Sequence, residues 1–76
     1  MELKAPTVLI SGGSRGIGRS LCEHFCESGY RVSFIYKSND VAADEVAKAT
    51  GAYPIKADIS DSKQVLFAVQ KAQKIL

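Results

Sequence analysis

Residues 11–18 read Ser11-Gly12-Gly13-Ser14-Arg15-Gly16-Ile17-Gly18, so glycine occupies half of this stretch. A short apolar run, Val8-Leu9-Ile10, precedes it and predicts a strand, while the residues from Ile17 to Phe25 have helical apolar spacing. Glycine has no Cβ, so the backbone of such a turn can approach a phosphate closely. The unpaired N–H groups at the start of the following helix then face the anion. The stretch therefore predicts a phosphate-binding turn between a strand and a helix.

Length and composition restrict the rest of the interpretation. A chain of 76 residues forms at most one small domain, and its net charge of +2 is too small to indicate a nucleic acid or an acidic membrane surface as a partner. No apolar run approaches the ~18 residues of a membrane span, and the first residues lack the pattern of a signal peptide. We therefore expect a cytoplasmic protein without a nucleic-acid or membrane partner.

Strands and helices alternate along the chain in the order β-α-β-α-β-α. The predicted strands cover Thr7–Ile10, Arg31–Tyr36 and Tyr53–Ala57, and the predicted helices cover Ile17–Ser28, Val41–Thr50 and the residues after an N-cap at Asp61. Alternation at this spacing indicates parallel βαβ units with right-handed crossovers. We expect an α/β, doubly wound parallel sheet in strand order 3-2-1, with the first two helices on one face and the third on the other.

The last predicted element of the chain is a helix, and this leads to two further expectations. A doubly wound sheet would continue with another strand, so we expect residues 1–76 to be the truncated amino-terminal half of such a domain. The first strand would then form an apolar edge, which invites pairing with another chain. We therefore expect self-association through that edge and marginal stability.

Apolar spacing also predicts which residues are buried, and the flanking residues predict the caps. Ser38-Asn39-Asp40 supplies an N-cap, Gly51 a C-terminal glycine, and Asp61 with Gln64 a capping box. Cys22 and Cys26 should pack as small core residues, because only His24 is near enough to be considered as a further metal ligand and it lies on another side of the helix. The predicted core faces are Ile17, Leu21 and Phe25 in the first helix, Ala42, Val46 and Ala49 in the second, and Val65, Ala68, Val69, Ala72 and Leu76 in the third, with Phe34 and Phe67 also in the core.

The glycine pattern leaves two interpretations open. The strict G-x-G-x-x-G dinucleotide pattern is absent, but Gly12-x-x-x-Gly16-x-Gly18 can supply the same turn, phosphate approach and helix packing. The alternative is Gly13-x-x-x-x-Gly18-Arg19-Ser20, which differs from a Walker A loop by arginine in place of lysine, with Asp58 as a Mg²⁺ ligand. That alternative assigns no role to Gly12, Gly16 or Lys37.

The eight-residue turn resembles the cofactor turn of the short-chain dehydrogenase/reductase family, with serine in place of the usual threonine. Tyr36-Lys37-Ser38 after the second strand and Asp58-Ile59 after the third extend the resemblance over the whole chain. Among subgroups, the chain is most similar to the bacterial 3-oxoacyl-[acyl-carrier-protein] reductases. The resemblance implies an NADP(H)-binding half of a Rossmann-type domain, from an oxidoreductase that transfers hydride between NADPH and a carbonyl or alcohol substrate.

The resemblance also implies roles for individual residues. Ser14 and Arg15 would lie beside the adenosine ribose, with Arg15 reaching its 2′-phosphate. Asp58 would accept a hydrogen bond from the adenine amino group, and Ile59 would lie near the ring. The pyrophosphate would be held by Gly12, Gly16, Ile17 and Gly18.

Residue chemistry at the end of the second strand independently favours NADP(H) over NAD(H). An NAD site has a carboxylate there to accept a hydrogen bond from the ribose 2′-hydroxyl. This chain instead has Tyr36, Lys37 and Ser38, and a lysine and a hydroxyl suit a phosphate dianion, to which Arg15 adds a second cation. The alternative is that Lys37 is only a solvated loop residue.

The family's catalytic pair is missing from these residues. That pair is a tyrosine four residues before a lysine. In this chain the residue four positions after Tyr30 is phenylalanine, after Tyr36 it is aspartate, and after Tyr53 it is alanine. We therefore assign no catalytic residue and expect the 76-residue chain alone to be inactive. An independent, non-catalytic nucleotide-binding module or remnant remains as an alternative function.

Overall fold

The computed structural model describes residues 6–12 and 16–75. Three parallel strands form one sheet in the order β1-β2-β3, with Leu9 opposite Ser33 and Ser33 opposite Tyr53. This arrangement confirms the predicted α/β fold, its element order and the strand order 3-2-1. The elements are β1 (Thr7–Ser11), α1 (Gly16–Glu27), β2 (Arg31–Tyr36), α2 (Asp40–Thr50), β3 (Tyr53–Lys56) and α3 (Ser62–Ile75).

Two separate clusters of buried residues lie on opposite faces of the sheet. Because side chains alternate along a strand, β2 contributes Val32 and Phe34 to one cluster and Ile35 to the other. The first cluster joins the sheet to α1 and α2, and the second joins it to α3, as predicted. The first contains Ile10, Cys22, Val32, Phe34, Ala43, Val46 and Ala52, and the second contains Ile35, Ile55, Ala57, Ala68 and Ala72.

The predicted core face of α1 is wrong by a rotation of about one residue. Ile17 is 82% exposed and Leu21 is also exposed, whereas Cys22 is fully buried and Phe25 and Cys26 are half-buried. One residue corresponds to about 100° around a helix, so burial of Cys22 turns Leu21 towards solvent. The predicted packing of the cysteines in the core is confirmed for Cys22, and the half-buried Cys26 packs against the same cluster.

Similar corrections apply to α2 and α3. In α2 the buried residues are Ala43 and Val46, while Ala49 is exposed and Ala42 is only half-buried. In α3 the small residues Ala68 and Ala72 face the sheet, so the adjacent Phe67 is 56% exposed and Val69 is exposed too. The predicted core positions of Phe67 and Val69 are therefore wrong, and Leu76 lies outside the described residues.

Local capping follows the sequence prediction in α2, and in α3 it does so for the N-cap but not for the capping box. Asn39 Oδ1 accepts a hydrogen bond from the Ala42 N–H at 3.0 Å, and Gly51 ends the helix in the left-handed region at φ +82°. Asp61 accepts from the Lys63 N–H at 2.9 Å, as an N-cap does. The capping-box prediction for Gln64 is wrong, because its Oε1 accepts from the Asp58 N–H at 2.7 Å and not from Asp61.

The edges of the sheet are β1 and β3. Within the described residues each of them pairs with β2 alone, and Pro54 lies in β3, as expected for an edge strand. Self-association through β1 remains a prediction. Among residues 6–12 and 16–75, no helix has both the length and the apolar character that crossing a bilayer requires.

Candidate functional site

The three strands end side by side, and two backbone hydrogen bonds hold the segments that follow them together. The Gly12 N–H donates to the Ile35 carbonyl at 2.8 Å, and the Ala57 N–H donates to the Tyr36 carbonyl at 2.9 Å. A cleft of about 220 Å³ opens at this edge. This is the position at which parallel α/β sheets bind ligands. The cleft is lined by Ser11, Gly12, Ile35, Tyr36, Lys37, Ala57 and Ile59.

Gly12 and Gly16 lie on either side of residues 13–15, between β1 and α1, and both have an unusual backbone conformation. Gly12 has φ +74° and Gly16 has φ +52°, both in the left-handed region that residues with a Cβ rarely adopt. Among residues 6–12 and 16–75, no atom lies within 4 Å of a Cβ built on either glycine, so the positive φ is what the structure shows to require glycine here. Gly16, Ile17 and Gly18 form the first turn of α1, whose leading N–H groups have no partner within the helix. Ser14 and Arg15 lie outside the described residues.

A lysine and a carboxylate face each other beside the cleft. Lys37 Nζ lies 4.0 Å from Asp58 Oδ2, and the Lys37 side chain is 74% exposed. The structure thus brings together two residues that the sequence places 21 positions apart. An exposed ion pair at this distance is weak, so it leaves the ammonium group accessible to an incoming anion. Ser38 is exposed in the adjoining loop and does not line the cleft.

Asp58 is held in place by its neighbours. Its Oδ1 accepts from the Ser60 hydroxyl at 2.6 Å and from the Ser60 N–H at 2.9 Å. These hydrogen bonds, with a smaller contribution from Lys37, lower the pKa of Asp58 below its ordinary value of 3.8. Asp58 is therefore an ionised hydrogen-bond acceptor at neutral pH, and the apolar side chain of Ile59 lines the cleft beside it.

Tyr36 lines the cleft, but its hydroxyl group belongs to a polar network on the α2 side. It donates to Asp40 Oδ1 at 3.0 Å, and Lys56 Nζ lies 3.3 Å from the same oxygen. Burial and this hydrogen bond raise the pKa of Tyr36, while the Tyr36 hydroxyl and Lys56 lower that of Asp40. Sequence reasoning missed Asp40 and Lys56. The four-residue spacing of Tyr36 and Asp40 is a local signal for their contact, but no periodicity links Lys56 to a residue 16 positions earlier.

Of the residues that a Walker-type loop would use, the structure describes Gly18, Arg19 and Ser20 at the start of α1. In the alternative interpretation Arg19 replaces the lysine that reaches the phosphates. Its guanidinium Nε instead donates to Glu23 Oε1 at 3.2 Å, one turn further along the helix. Within the described ranges 6–12 and 16–75, no three histidine, cysteine or acidic side chains are grouped closely enough to hold a metal ion.

The parallel sheet, the glycine turn and the cleft beyond the strand ends define an α/β protein of the Rossmann type. The family model described as short chain dehydrogenase matches residues 6–76. The chain therefore belongs to the short-chain dehydrogenase/reductase family, and the family resemblance drawn from the sequence is confirmed.

Individual relatives match over most of this chain but over a minor part of their own length. An uncharacterized oxidoreductase of Schizosaccharomyces pombe is 34% identical over 79 residues, covering 99% of this chain and 30% of the relative. The 3-oxoacyl-[acyl-carrier-protein] reductase FabG of Staphylococcus aureus is 34% identical over 64 residues, covering 78% of this chain and 26% of that protein.

Among solved structures, BdcA from E. coli superposes with a TM-score of 0.83 at 40% identity, covering 88% of this chain and 36% of that chain. A structure of BdcA in complex with NADPH gives the same TM-score and identity and covers 88% of this chain and 28% of that chain. The chain thus spans roughly a third or less of the length of the proteins it matches.

Proposed function

We propose that this chain is the NADP(H)-binding segment of an oxidoreductase of the short-chain dehydrogenase/reductase family. The observation that carries the proposal is the chemistry at the carboxyl end of β2. No carboxylate follows this strand directly, and the exposed Lys37 ammonium lies beside the cleft. A cation at this place suits a ribose 2′-phosphate, whereas a carboxylate would suit a free 2′-hydroxyl. The NADPH complex of BdcA supports the same cofactor.

The residues of the cleft fit the parts of such a dinucleotide. The turn that contains Gly12, together with the first turn of α1, would hold the pyrophosphate through backbone N–H groups. Lys37 would pair with the 2′-phosphate, joined by Arg15 from the sequence prediction. Asp58 would accept a hydrogen bond from the adenine amino group, and Ile59 would pack against the ring.

In the proposed reaction this segment binds the cofactor, and the cofactor itself carries the hydride. The nicotinamide ring supplies or accepts hydride when the cofactor is bound. None of the tyrosines in the 76 residues stands four positions before a lysine, so we assign cofactor binding and not proton transfer to this segment. For the whole protein we propose reduction of a carbonyl substrate of the 3-oxoacyl class, which the similarity to FabG supports.

Titration with two ligands that differ only in the 2′-phosphate tests the cofactor assignment. We expect 2′-phospho-ADP-ribose to bind more tightly than ADP-ribose, because the phosphate gains a charge-assisted hydrogen bond from Lys37. Such a bond contributes about 1.5–3 kcal/mol when well formed, and solvent exposure moves the value towards the lower end. Lys37→Ala should weaken the binding of 2′-phospho-ADP-ribose several-fold and leave the binding of ADP-ribose almost unchanged. Lys37→Asp should reverse the preference.

Two controls make this titration specific. Lys48→Ala removes an equal charge from the outer side of α2, where Lys48 pairs with Asp44 at 3.0 Å, and should leave the preference intact. Mg²⁺–ATP serves as the third ligand, because a Walker-type site would bind it best and would not depend on Lys37. Equal affinity of the wild-type chain for ADP-ribose with and without the 2′-phosphate would contradict the NADP(H) assignment.

A further inference from the structure

Asp40 joins three elements of the fold behind the cofactor cleft. It is the first residue of α2, its Oδ1 accepts the hydroxyl of Tyr36 at the end of β2, and both its oxygens lie within 3.4 Å of the ammonium of Lys56 at the end of β3. Tyr36 and Lys56 are themselves partners in the β2–β3 register. One carboxylate thus fixes the start of a helix to the ends of two neighbouring strands.

The loop that these contacts enclose carries the lysine of the cleft. Between β2 and α2 only residues 37–39 intervene. The loop leaves β2 at Tyr36 and enters α2 at Asp40, whose N–H also donates to the Ser38 carbonyl at 3.0 Å. The hydrogen bond from Tyr36 to Asp40 therefore closes the loop at its base.

Lys37 needs such support because its side chain has little packing of its own. It is 74% exposed, and its 4.0 Å contact with Asp58 is weak. The backbone of the short loop therefore sets the point from which the flexible lysine side chain reaches towards the cleft. Any change in the entry or exit of that loop shifts the cation relative to the cleft.

We propose that Asp40 is a positioning residue for NADP(H) selectivity, acting through Tyr36 and Lys56 to hold the loop that presents Lys37 to the 2′-phosphate. The proposal rests on the proposed function. Lys56 also offsets the negative charge of Asp40, because its ammonium lies 3.3 Å from the Oδ1 of that carboxylate.

Removal of the Asp40 carboxylate should change the binding of the 2′-phosphate in opposite directions, depending on whether Asp40 acts by positioning Lys37 or only by its charge. Removal of a nearby negative charge, by Coulomb's law alone, strengthens the binding of a phosphate dianion. Loss of positioning weakens it. Asp44 provides a matched control, because it lies one turn further along α2 and pairs with Lys48 at 3.0 Å. Asp44→Ala removes the same charge from the same helix.

The experiment measures the ratio of the dissociation constants for ADP-ribose and 2′-phospho-ADP-ribose. We expect Tyr36→Phe and Asp40→Ala to lower this ratio about fivefold, which corresponds to the loss of about one hydrogen bond. Asp40→Asn keeps an oxygen that can accept the hydrogen bond from Tyr36, so this variant should retain most of the wild-type ratio. Asp44→Ala should leave the ratio unchanged or raise it slightly. General destabilisation of the fold would weaken the binding of both ligands alike and would leave the ratio of their dissociation constants unchanged.

The possible failures are distinguishable. A wild-type chain that binds both ligands equally would contradict the proposed function and this inference together. A wild-type preference that Lys37→Ala abolishes, but that Tyr36→Phe and Asp40→Ala both retain in full, would overturn this inference alone. If Asp44→Ala lowers the ratio as much as Asp40→Ala does, this inference is also overturned, since Asp44→Ala leaves the hydrogen bond between Tyr36 and Asp40 in place. If Asp40→Ala does not fold, Tyr36→Phe decides, because it changes neither the charge nor the ring.

Discussion

The two faces of the sheet are covered by different numbers of helices but follow one packing rule. On the first face Val32 and Phe34 of the sheet meet α1 and α2, and on the second face Ile35 and Ile55 meet α3. On both faces the large side chains come mainly from the strands. The helices contribute mainly small buried residues, which are Cys22, Ala43, Val46, Ala68 and Ala72.

This comparison explains why hydrophobicity alone misplaces the helix faces. Large apolar residues of the helices, such as Ile17 and Phe67, are exposed, while alanine and cysteine approach the sheet. Close packing requires that bulky residues on one surface meet small residues on the other. The rotation of each helix is therefore decided by volume complementarity with the strands.

Phe34→Ala should have the largest effect on stability. The Phe34 side chain is fully buried between the sheet and both helices of the first face. Its removal leaves a cavity and should lower the free energy of unfolding by about 3–5 kcal/mol. Folded domains have a stability of only about 0.05–0.15 kcal/mol per residue, so this loss is a large share of the total for a domain of this size. Urea unfolding followed by circular dichroism measures it, and a loss below about 1 kcal/mol would show that Phe34 does not anchor this face.

Cys22 should make the stability of the first face depend on alkaline pH. Burial raises the pKa of its thiol from 9.0 to about 11. The unfolded chain therefore releases the proton at lower pH than the folded chain, and stability falls as pH rises between these two values. The loss should be about 2–3 kcal/mol. Chemical denaturation at a series of alkaline pH values measures it.

Two variants separate this effect from the titration of other groups. Cys22→Ala removes the thiol and should flatten the dependence of stability on pH in this range. Cys26→Ala removes the half-buried cysteine of the same helix and should retain most of the wild-type slope. Identical slopes for Cys22→Ala and the wild type would refute the assignment to Cys22.

Phe67→Ala should have the smallest effect on the free energy of unfolding, although it is the same substitution as Phe34→Ala. Phe67 is 56% exposed, and the ammonium of Lys71 lies 5.9 Å from its ring centroid. An exposed cation–π contact of this kind contributes about 0.5–1 kcal/mol, so the change in unfolding free energy should stay within about 1 kcal/mol. The same urea experiment measures it. A loss comparable to that of Phe34→Ala would mean that Phe67 is buried in solution.

The sequence predicts most of the candidate site because parallel topology brings strand ends together. Gly12, Lys37 and Ile59 each lie just after a predicted strand, so the strand order alone places them at one edge. The contact of Asp58 with Ser60 is likewise local in sequence. By contrast, the network of Tyr36, Asp40 and Lys56 depends on the register of β2 and β3.

The sequence by itself determined what depends on neighbours within a few residues and on the order of elements. The N-cap at Asn39, the helix end at Gly51 and the parallel strand order follow from local hydrogen bonding, glycine conformation and crossover handedness. Only the tertiary structure decided the rotation of the helices and the contact of Lys56 with Asp40. Those features depend on the volumes and hydrogen-bonding groups of residues that become neighbours only when the sheet and helices pack together.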